Sequence, residues 1–188
     1  EVFTAGNDLG DFLDGPTNDP DRPVFRFLRN IAAAEKPLVA AVAGNAVGVG
    51  TTMLLHCDLV YAGESARFQL PFVNLALCPE AASSLLLPRL VGHPRAAQLL
   101  FFGEPFGAAK AYEMGLDAAL ERARKLATLP AASLRETKRL LKQSVAALVP
   151  QVMQAEGEIF TRQLASPEAR EAFAAFLAKR KPDFSKFS

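Results

Sequence analysis

The chain has 188 residues, a formal net charge of +1, two cysteines, two histidines and no tryptophan. Its length suits one domain, at roughly 150 residues per domain, and with 50% of residues hydrophobic a substantial core is available and wholesale disorder is excluded. The balanced charge gives nucleic acid no electrostatic claim as main partner, and so few cysteines and histidines build neither a disulfide framework nor a good structural zinc site. This balance suits a reducing, cytoplasmic setting. The longest apolar stretches, around Leu38–Val49 and Leu85–Leu87, are short or interrupted against the roughly 20 residues a membrane-spanning helix needs.

Glu1-Val2-Phe3-Thr4 reads as a strand already in progress, without an initiator Met. Asn7, Asp8 and Asp11 follow too soon for a secretory signal, so the expectation is that the natural protein begins earlier. Gly6, Gly10, Gly15, Pro16, Asn18, Pro20 and Pro23 then make residues 1–22 a strand end and a loop. From Pro23, which suits a first helical position, Val24, Phe27, Leu28 and Ile31 repeat at helical spacing, and Pro37 closes the helix. Leu38–Ala43 is a continuous apolar run between Pro37 and Gly44, the pattern of a strand buried on both faces. Gly44–Gly50 leads into a helix over Thr51–Cys57, and Asp58–Ala62 and Ala66–Leu70 are the next strands. Pro79 is expected to open a helix running through Leu87, and helices to fill most of residues 93–180. In the last of them Ala169, Ala172, Phe173 and Phe176 form the apolar face, behind a Ser166-Pro167-Glu168 start. Strands alternating with helices in the first half and helices alone in the second define an α/β class with a helical C-terminal region.

Several familiar chemistries are missing. The sequence has no phosphate-binding Gly-x-x-x-x-Gly-Lys-Ser/Thr loop, no His-Glu-x-x-His pair and no Gly-x-Ser-x-Gly elbow. His56 reads as a packed core histidine and His93 as a helix start, while Cys57 and Cys78 read as small buried residues rather than reactive thiols. Two backbone features are more suggestive. Ala5-Gly6-Asn7-Asp8 and Gly48-Val49-Gly50 each set glycine beside an amide that could face a cleft. If Gly48–Gly50 opens a helix, its first amides are unpaired and lie at the positive end of the dipole. Converging, two such N–H groups would make an oxyanion hole; taken singly, each is also an ordinary turn between strand and helix.

Glu80, in Cys78-Pro79-Glu80-Ala81-Ala82-Ser83-Ser84, fits the grammar of a plain helix start. Its neighbours Phe72, Val73, Leu75, Leu77 and Leu85–Leu87 are apolar, however, and desolvation there would raise its pKa toward a value useful for proton transfer. A helix dipole would act in the opposite direction, and both outcomes stay open at this stage.

Taken in order, Val2–Leu9, Lys36–Gly48 and Cys57–Ala62 resemble segments of the crotonase (enoyl-CoA hydratase/isomerase) superfamily. Glu113-Met114-Gly115-Leu116 and the ending Ala174–Phe184 are similar to its signatures too, so the likeness spans nearly the whole chain. It implies a spiral of β-β-α units over residues 1–117, a helical trimerisation region over 118–188, and assembly as a homotrimer or a dimer of trimers. It further implies acyl-CoA thioester substrates, with coenzyme A part of the substrate, no separate cofactor and no metal. By motif position, the resemblance places an oxyanion hole at the amides of Asn7 and Val49, each donor worth roughly 2.7–4 kcal/mol toward an enolate-like transition state.

Hydratases of this family carry two glutamates where this chain has Thr52 and Phe72. The placing of Glu80 instead resembles the Δ3,Δ2-enoyl-CoA isomerases of the peroxisomal type, in which one glutamate is base and acid in turn. The resemblance also sets Ala5, Asp8 and Leu9 beside the adenine pocket and Lys179 near the nucleotide phosphates; a loop cap and a solvated face are the ordinary alternatives for Asp8 and Lys179. Against the family pattern, strands and a helix before Ala5-Gly6 and a connecting segment between Asp117 and Ala118 are wanting, and both are expected to belong to the natural polypeptide. Two other readings remain: a hydratase-like or other crotonase-fold thioester enzyme, and a non-catalytic acyl-CoA-binding trimer.

Overall fold

A computed structural model of the chain describes residues 2–8, 10, 22–107 and 116–187, with the side chains of 116–119 left out. Leu9, most of the loop expected before residue 22, and Glu113-Met114-Gly115 lie outside the described residues.

The strands are short and come in pairs that alternate between two sheets. They are β1 (Val2–Thr4), β2 (Val39–Val42), β3 (Asn45–Val47), β4 (Leu59–Ala62), β5 (Arg67–Gln69) and β6 (Phe106–Gly107). Among the described residues one sheet has the order β1-β3-β5-β6 and the other pairs β2 with β4. The contacts β1–β3, β3–β5 and β2–β4 are parallel; β6 joins β5 antiparallel. Each turn of chain thus gives one strand to each sheet and advances by one, which is a β-β-α spiral. Its corners lock together: the Gly63 amide donates to Val42 O at 2.9 Å and the Arg67 amide to Gly44 O at 3.0 Å. Ala40, Val42, Ala46, Ala62, Ala66 and Phe68 fill the space inside the spiral. Small residues dominate there because the two strands of each corner approach closely.

Helices close the spiral. They are α1 (Pro23–Ala33), α2 (Val49–Thr52), α3 (Ser83–Val91), α4 (His93–Phe102), α5 (Leu116–Ala127), α6 (Ala131–Lys142), α7 (Leu148–Leu164) and α8 (Pro167–Leu177). A second core of Leu70, Phe72, Leu77, Leu87, Ala96, Leu100, Ala169 and Phe173 ties the end of β5 to α3, α4 and α8. As the sequence predicts, α4 begins at His93, and the Ser166 hydroxyl accepts from the Ala169 amide at 3.1 Å to cap α8. A single helix, α5, runs across the Asp117–Ala118 junction.

Four expectations change. The run at β2 is buried on one face only, with Ala40 and Val42 inside and Ala41 exposed, because it packs on the spiral core from one side. The helix expected over Thr51–Cys57 is a short α2 followed by a 3-10 turn at Met53–His56. In α8, Phe176 is exposed while Ala169, Ala172 and Phe173 are buried, so the apolar face is narrower than the spacing implies. Finally, Pro79 does not open a helix: α3 starts at Ser83, since Ala81 and Ala82 have left-handed φ values of 60° and 54°.

Charged contacts dock α6 on the starts of β2 and β4. Lys138 Nζ lies 2.8 Å from Asp58 Oδ2 and donates to Lys36 O at 2.7 Å, while Asp58 Oδ2 accepts from the Leu38 amide at 2.7 Å. Lys142 Nζ donates to His56 O at 2.9 Å. Lys138 is nearly enclosed, so losing its partner would strand a buried ammonium. Asp58→Asn is expected to lower the unfolding free energy by about 2 kcal/mol, between exposed and fully buried pairs, as read by urea denaturation.

Candidate active site

Parallel pairing delivers the two glycine turns to one place. Strands β1 and β3 run side by side in the same direction, so Ala5-Gly6-Asn7 and Gly48-Val49-Gly50 leave the sheet at the same edge. A Cβ on Gly6, whose φ is 91°, would sit 2.9 Å from Val47 O, and one on Gly50 would run into the Thr4 side chain and lie 3.0 Å from Thr4 O. Only glycine lets the two turns approach this closely. Val49 is the first residue of α2, where an amide has no partner within its helix. Among the described residues the Asn7 amide also has no hydrogen-bond acceptor. Both residues are half-buried.

Three residues beyond Val49 in the same helix, Thr52 is fully buried, and its hydroxyl donates to Glu80 Oε1 at 2.5 Å. Glu80 is 9% exposed, and Thr52 is the sole hydrogen-bond partner of its carboxylate among the described residues. Burial pushes its pKa up to about 7; the Thr52 hydrogen bond opposes that rise and the negative charge of Glu156 adds to it. The competition left open by the sequence is therefore decided by desolvation. Glu80 itself lies outside α3, whose N-terminus comes beyond Ala82, past two left-handed residues. Each left-handed alanine costs roughly 1–2 kcal/mol, so the segment that turns Glu80 inward is held against a local preference.

A second carboxylate, which sequence reasoning missed, lies behind the first. Glu156, from the middle of α7 and 6% exposed, accepts the Ala82 amide at 2.6 Å, the Ser84 amide at 3.0 Å and the Ser84 hydroxyl at 2.5 Å. Burial raises its pKa and those donors pull it back. Its only signal in the sequence is an acid on a helix, and 74 residues separate it from Ala82. His56 is the packed histidine the sequence suggests: it is buried, its Nε2 is 2.7 Å from Ala81 O, and burial lowers its pKa. Facing a carbonyl, Nε2 carries the proton. The thiols of Cys57 and Cys78 are both half-buried, with pKa values raised by burial, to about 11 at Cys78, so neither is an activated nucleophile.

The remaining predicted residues stand apart from this cluster. Ala5 and Asp8 are exposed, and Asp8 Oδ1 accepts the Gly10 amide at 2.8 Å, the loop-capping role. Lys179 is exposed beyond the end of α8, with a φ of 51°, and no described residue pairs with its side chain. Leu9 is outside the described residues. Among the described residues no cluster of three or more His, Cys, Asp or Glu is arranged to hold a metal ion, and no helix is long and apolar enough to cross a membrane.

A β-β-α spiral that buries one acid behind two abutting amide turns defines a class, and comparison with known proteins identifies it. Residues 1–186 match the family described as enoyl-CoA hydratase/isomerase. The 2,3-dehydroadipyl-CoA hydratase of Escherichia coli K12 is 35% identical over 196 residues, covering 97% of this chain and 76% of that protein. Enoyl-CoA delta isomerase 2 of Rattus norvegicus is 31% identical, covering 96% of this chain and 50% of that one. Among solved structures, an enoyl-CoA hydratase/isomerase from Pseudoalteromonas atlantica T6c superimposes with a TM-score of 0.90 at 45% identity, over 98% of this chain and 78% of that one. The OdaA structure from Pseudomonas aeruginosa gives 0.87 at 46% identity, over 93% and 76% of the two chains. The chain belongs to the enoyl-CoA hydratase/isomerase family and has the crotonase fold.

The burial of Glu80 has a measurable consequence. Between pH 4.5, the ordinary value for the group, and about 7 the unfolded chain loses this proton while the folded protein keeps it, so stability falls across that window. At about 1.4 kcal/mol per pH unit, the loss is roughly 3 kcal/mol. Glu80→Gln, which cannot ionise, is expected to unfold about 3 kcal/mol less readily than the natural chain at about pH 8.5 and equally at about pH 4, by urea denaturation at both values.

Proposed function

We propose that this protein is a Δ3,Δ2-enoyl-CoA isomerase in which Glu80 carries the proton. The single observation behind this is a buried, lightly hydrogen-bonded carboxylate whose pKa of about 7 suits it to take a proton and give it back near neutrality. Its neighbour Glu156 is saturated by three donors and has no freedom to do so. Where the family's hydratases hold their two glutamates, this chain has Thr52, which is engaged with Glu80, and Phe72, which is packed in the core. Activating a water and protonating the α-carbon require two acid–base groups; shifting a double bond needs one.

Glu80 removes a proton from C2 of a 3-enoyl-CoA, and the electron pair moves through C1 onto the thioester oxygen. The amides of Asn7 and Val49 hold that oxyanion, at roughly 2.7–4 kcal/mol for each donor. Electrons then return from the oxygen, C2 and C3 become doubly bonded, and C4 takes the proton back from Glu80. No water enters the balance. Coenzyme A serves as the handle of the substrate rather than as a separate cofactor, with Ala5, Asp8, Leu9 and Lys179 assigned to its nucleotide part. Residues 1–117 form the catalytic spiral, and the helices of 118–188 assemble three chains into a trimer or a dimer of trimers. The relative named as a hydratase leaves a second reading, hydration of 2-enoyl-CoA; loss of both hydratase carboxylates weighs against it.

With 3-enoyl-CoA and 2-enoyl-CoA offered in parallel, isomerisation is expected to exceed hydration by at least 100-fold, and the opposite ratio would refute the assignment. Glu80→Gln is expected to lower kcat for isomerisation at least about 1,000-fold with acyl-CoA binding within threefold of the natural chain, by calorimetry. In the unsubstituted enzyme kcat/KM should rise with pH through a midpoint of about 7, because the first step needs the ionised carboxylate of the free enzyme.

A further inference from the structure

We propose that His56 and Glu156 form a two-sided clamp on the peptide joining Ala81 to Ala82, and that this clamp positions Glu80 for proton transfer. The inference rests on the reading of Glu80 as the proton carrier. Ala81 O and Ala82 N–H belong to one peptide unit: the carbonyl accepts from His56 Nε2 at 2.7 Å, and the amide donates to Glu156 Oε2 at 2.6 Å. One end is therefore held by the 3-10 turn that follows α2, and the other by α7. Glu156 Oε1 extends the grip to the amide and hydroxyl of Ser84 at 3.0 and 2.5 Å.

Simple capping of α3 does not account for this arrangement. A serine or aspartate at the N-cap would satisfy the Ser84 amide locally, yet the N-cap is Ala82, with no side-chain cap of its own. In its place the fold buries a carboxylate from a distant helix, a costly choice. What that choice secures is the left-handed pair Ala81–Ala82 directly after Glu80, a conformation alanine does not hold unaided. His56 works as a fixed donor from the other side, and Lys142 Nζ, donating to His56 O, braces the donor in turn. Thr52 then meets Glu80 from α2 at 2.5 Å, which sets the carboxylate relative to the turn bearing Val49. The clamp touches no reacting atom, so its members are positioning residues.

Glu156→Gln tests this directly, since the isosteric amide presents an NH2 group to one of the two peptide N–H groups it must now serve. For the folded variant, kcat for 3-enoyl-CoA is expected to fall at least 10-fold with KM within threefold. The midpoint of the kcat/KM pH profile is expected to move down by half a pH unit or more. The titratable groups facing Glu80 are Glu156 from α7 and the Cys78 thiol on its own segment, beside the neutral Thr52 hydroxyl from α2; His56 reaches it only through Ala81. Removing the negative charge of Glu156 by itself lowers the Glu80 pKa, so the midpoint reports that charge and the loss of kcat at constant KM reports the clamp. A purely structural role would lower Tm and active concentration and leave kcat per folded molecule unmoved, and that result overturns the proposal. His56→Asn attacks the carbonyl side of the same peptide and should reproduce the loss in kcat at constant KM; if Glu156→Gln does not fold, this variant decides, an unchanged kcat refuting the clamp. Should the natural enzyme not turn over 3-enoyl-CoA, the functional assignment fails separately. The clamp is then judged by carbon-13 NMR titration of Glu80 in the natural chain and His56→Asn, which leaves the Glu156 charge in place, where an unshifted midpoint overturns it.

Discussion

A single carboxylate held out of water without a positive partner is the constraint around which this structure is organised. An ionised glutamate in an apolar core ordinarily demands a lysine, an arginine or several donors, and each of those would hold it charged and inert. Glu80 receives one hydroxyl and no cation, so its pKa settles at about 7. The donors that would have quenched it go to Glu156, which takes two amides and a hydroxyl. Two buried acids lie close together, and hydrogen bonding sets them apart: one carboxylate is committed to the backbone and the other is left with a single hydroxyl.

The spiral explains how distant pieces reach this acid. Parallel strands end at the same edge, so the turns after β1 and β3 abut, and the absence of side chains at Gly6 and Gly50 lets them come within van der Waals distance. Val49 and Thr52 share one turn of helix, which ties the amide proposed to hold the oxyanion to the hydroxyl that orients the acid. Such a short path leaves little slack between the two ends of the chemistry. The stabilising work is done elsewhere, by the core of small residues inside the spiral and by the Lys138 and Asp58 contacts that bolt α6 to it.

Local strain is concentrated in the segment that carries the acid. Ala76, Ala81 and Ala82 all take left-handed conformations within seven residues, and among the described residues Lys179 is the only other non-glycine that does. Strain of this kind persists only where surrounding contacts over-determine it. Here those contacts are His56 and Glu156, from two elements far apart in sequence. Tuning the acid and shaping its segment are thus one structural task.

The sequence by itself determined the strand-turn-strand grammar, the helix starts at Pro23, His93 and Pro167, the two glycine turns and the candidacy of Glu80, because glycine, proline and caps act over a few residues and leave their mark locally. It could not decide whether Glu80 sat on a helix under a favourable dipole or in a desolvated turn; both patterns read Pro-Glu followed by small residues. Tertiary structure decided that, by forcing Ala81 and Ala82 left-handed and delaying α3 to Ser83. It likewise decided the one-sided burial of β2, the exposure of Phe176, and the roles of Thr52 and Glu156. These depend on which surfaces meet across long stretches of chain, and desolvation, which sets the acidity of Glu80, is a property of the assembled surroundings that no local pattern encodes.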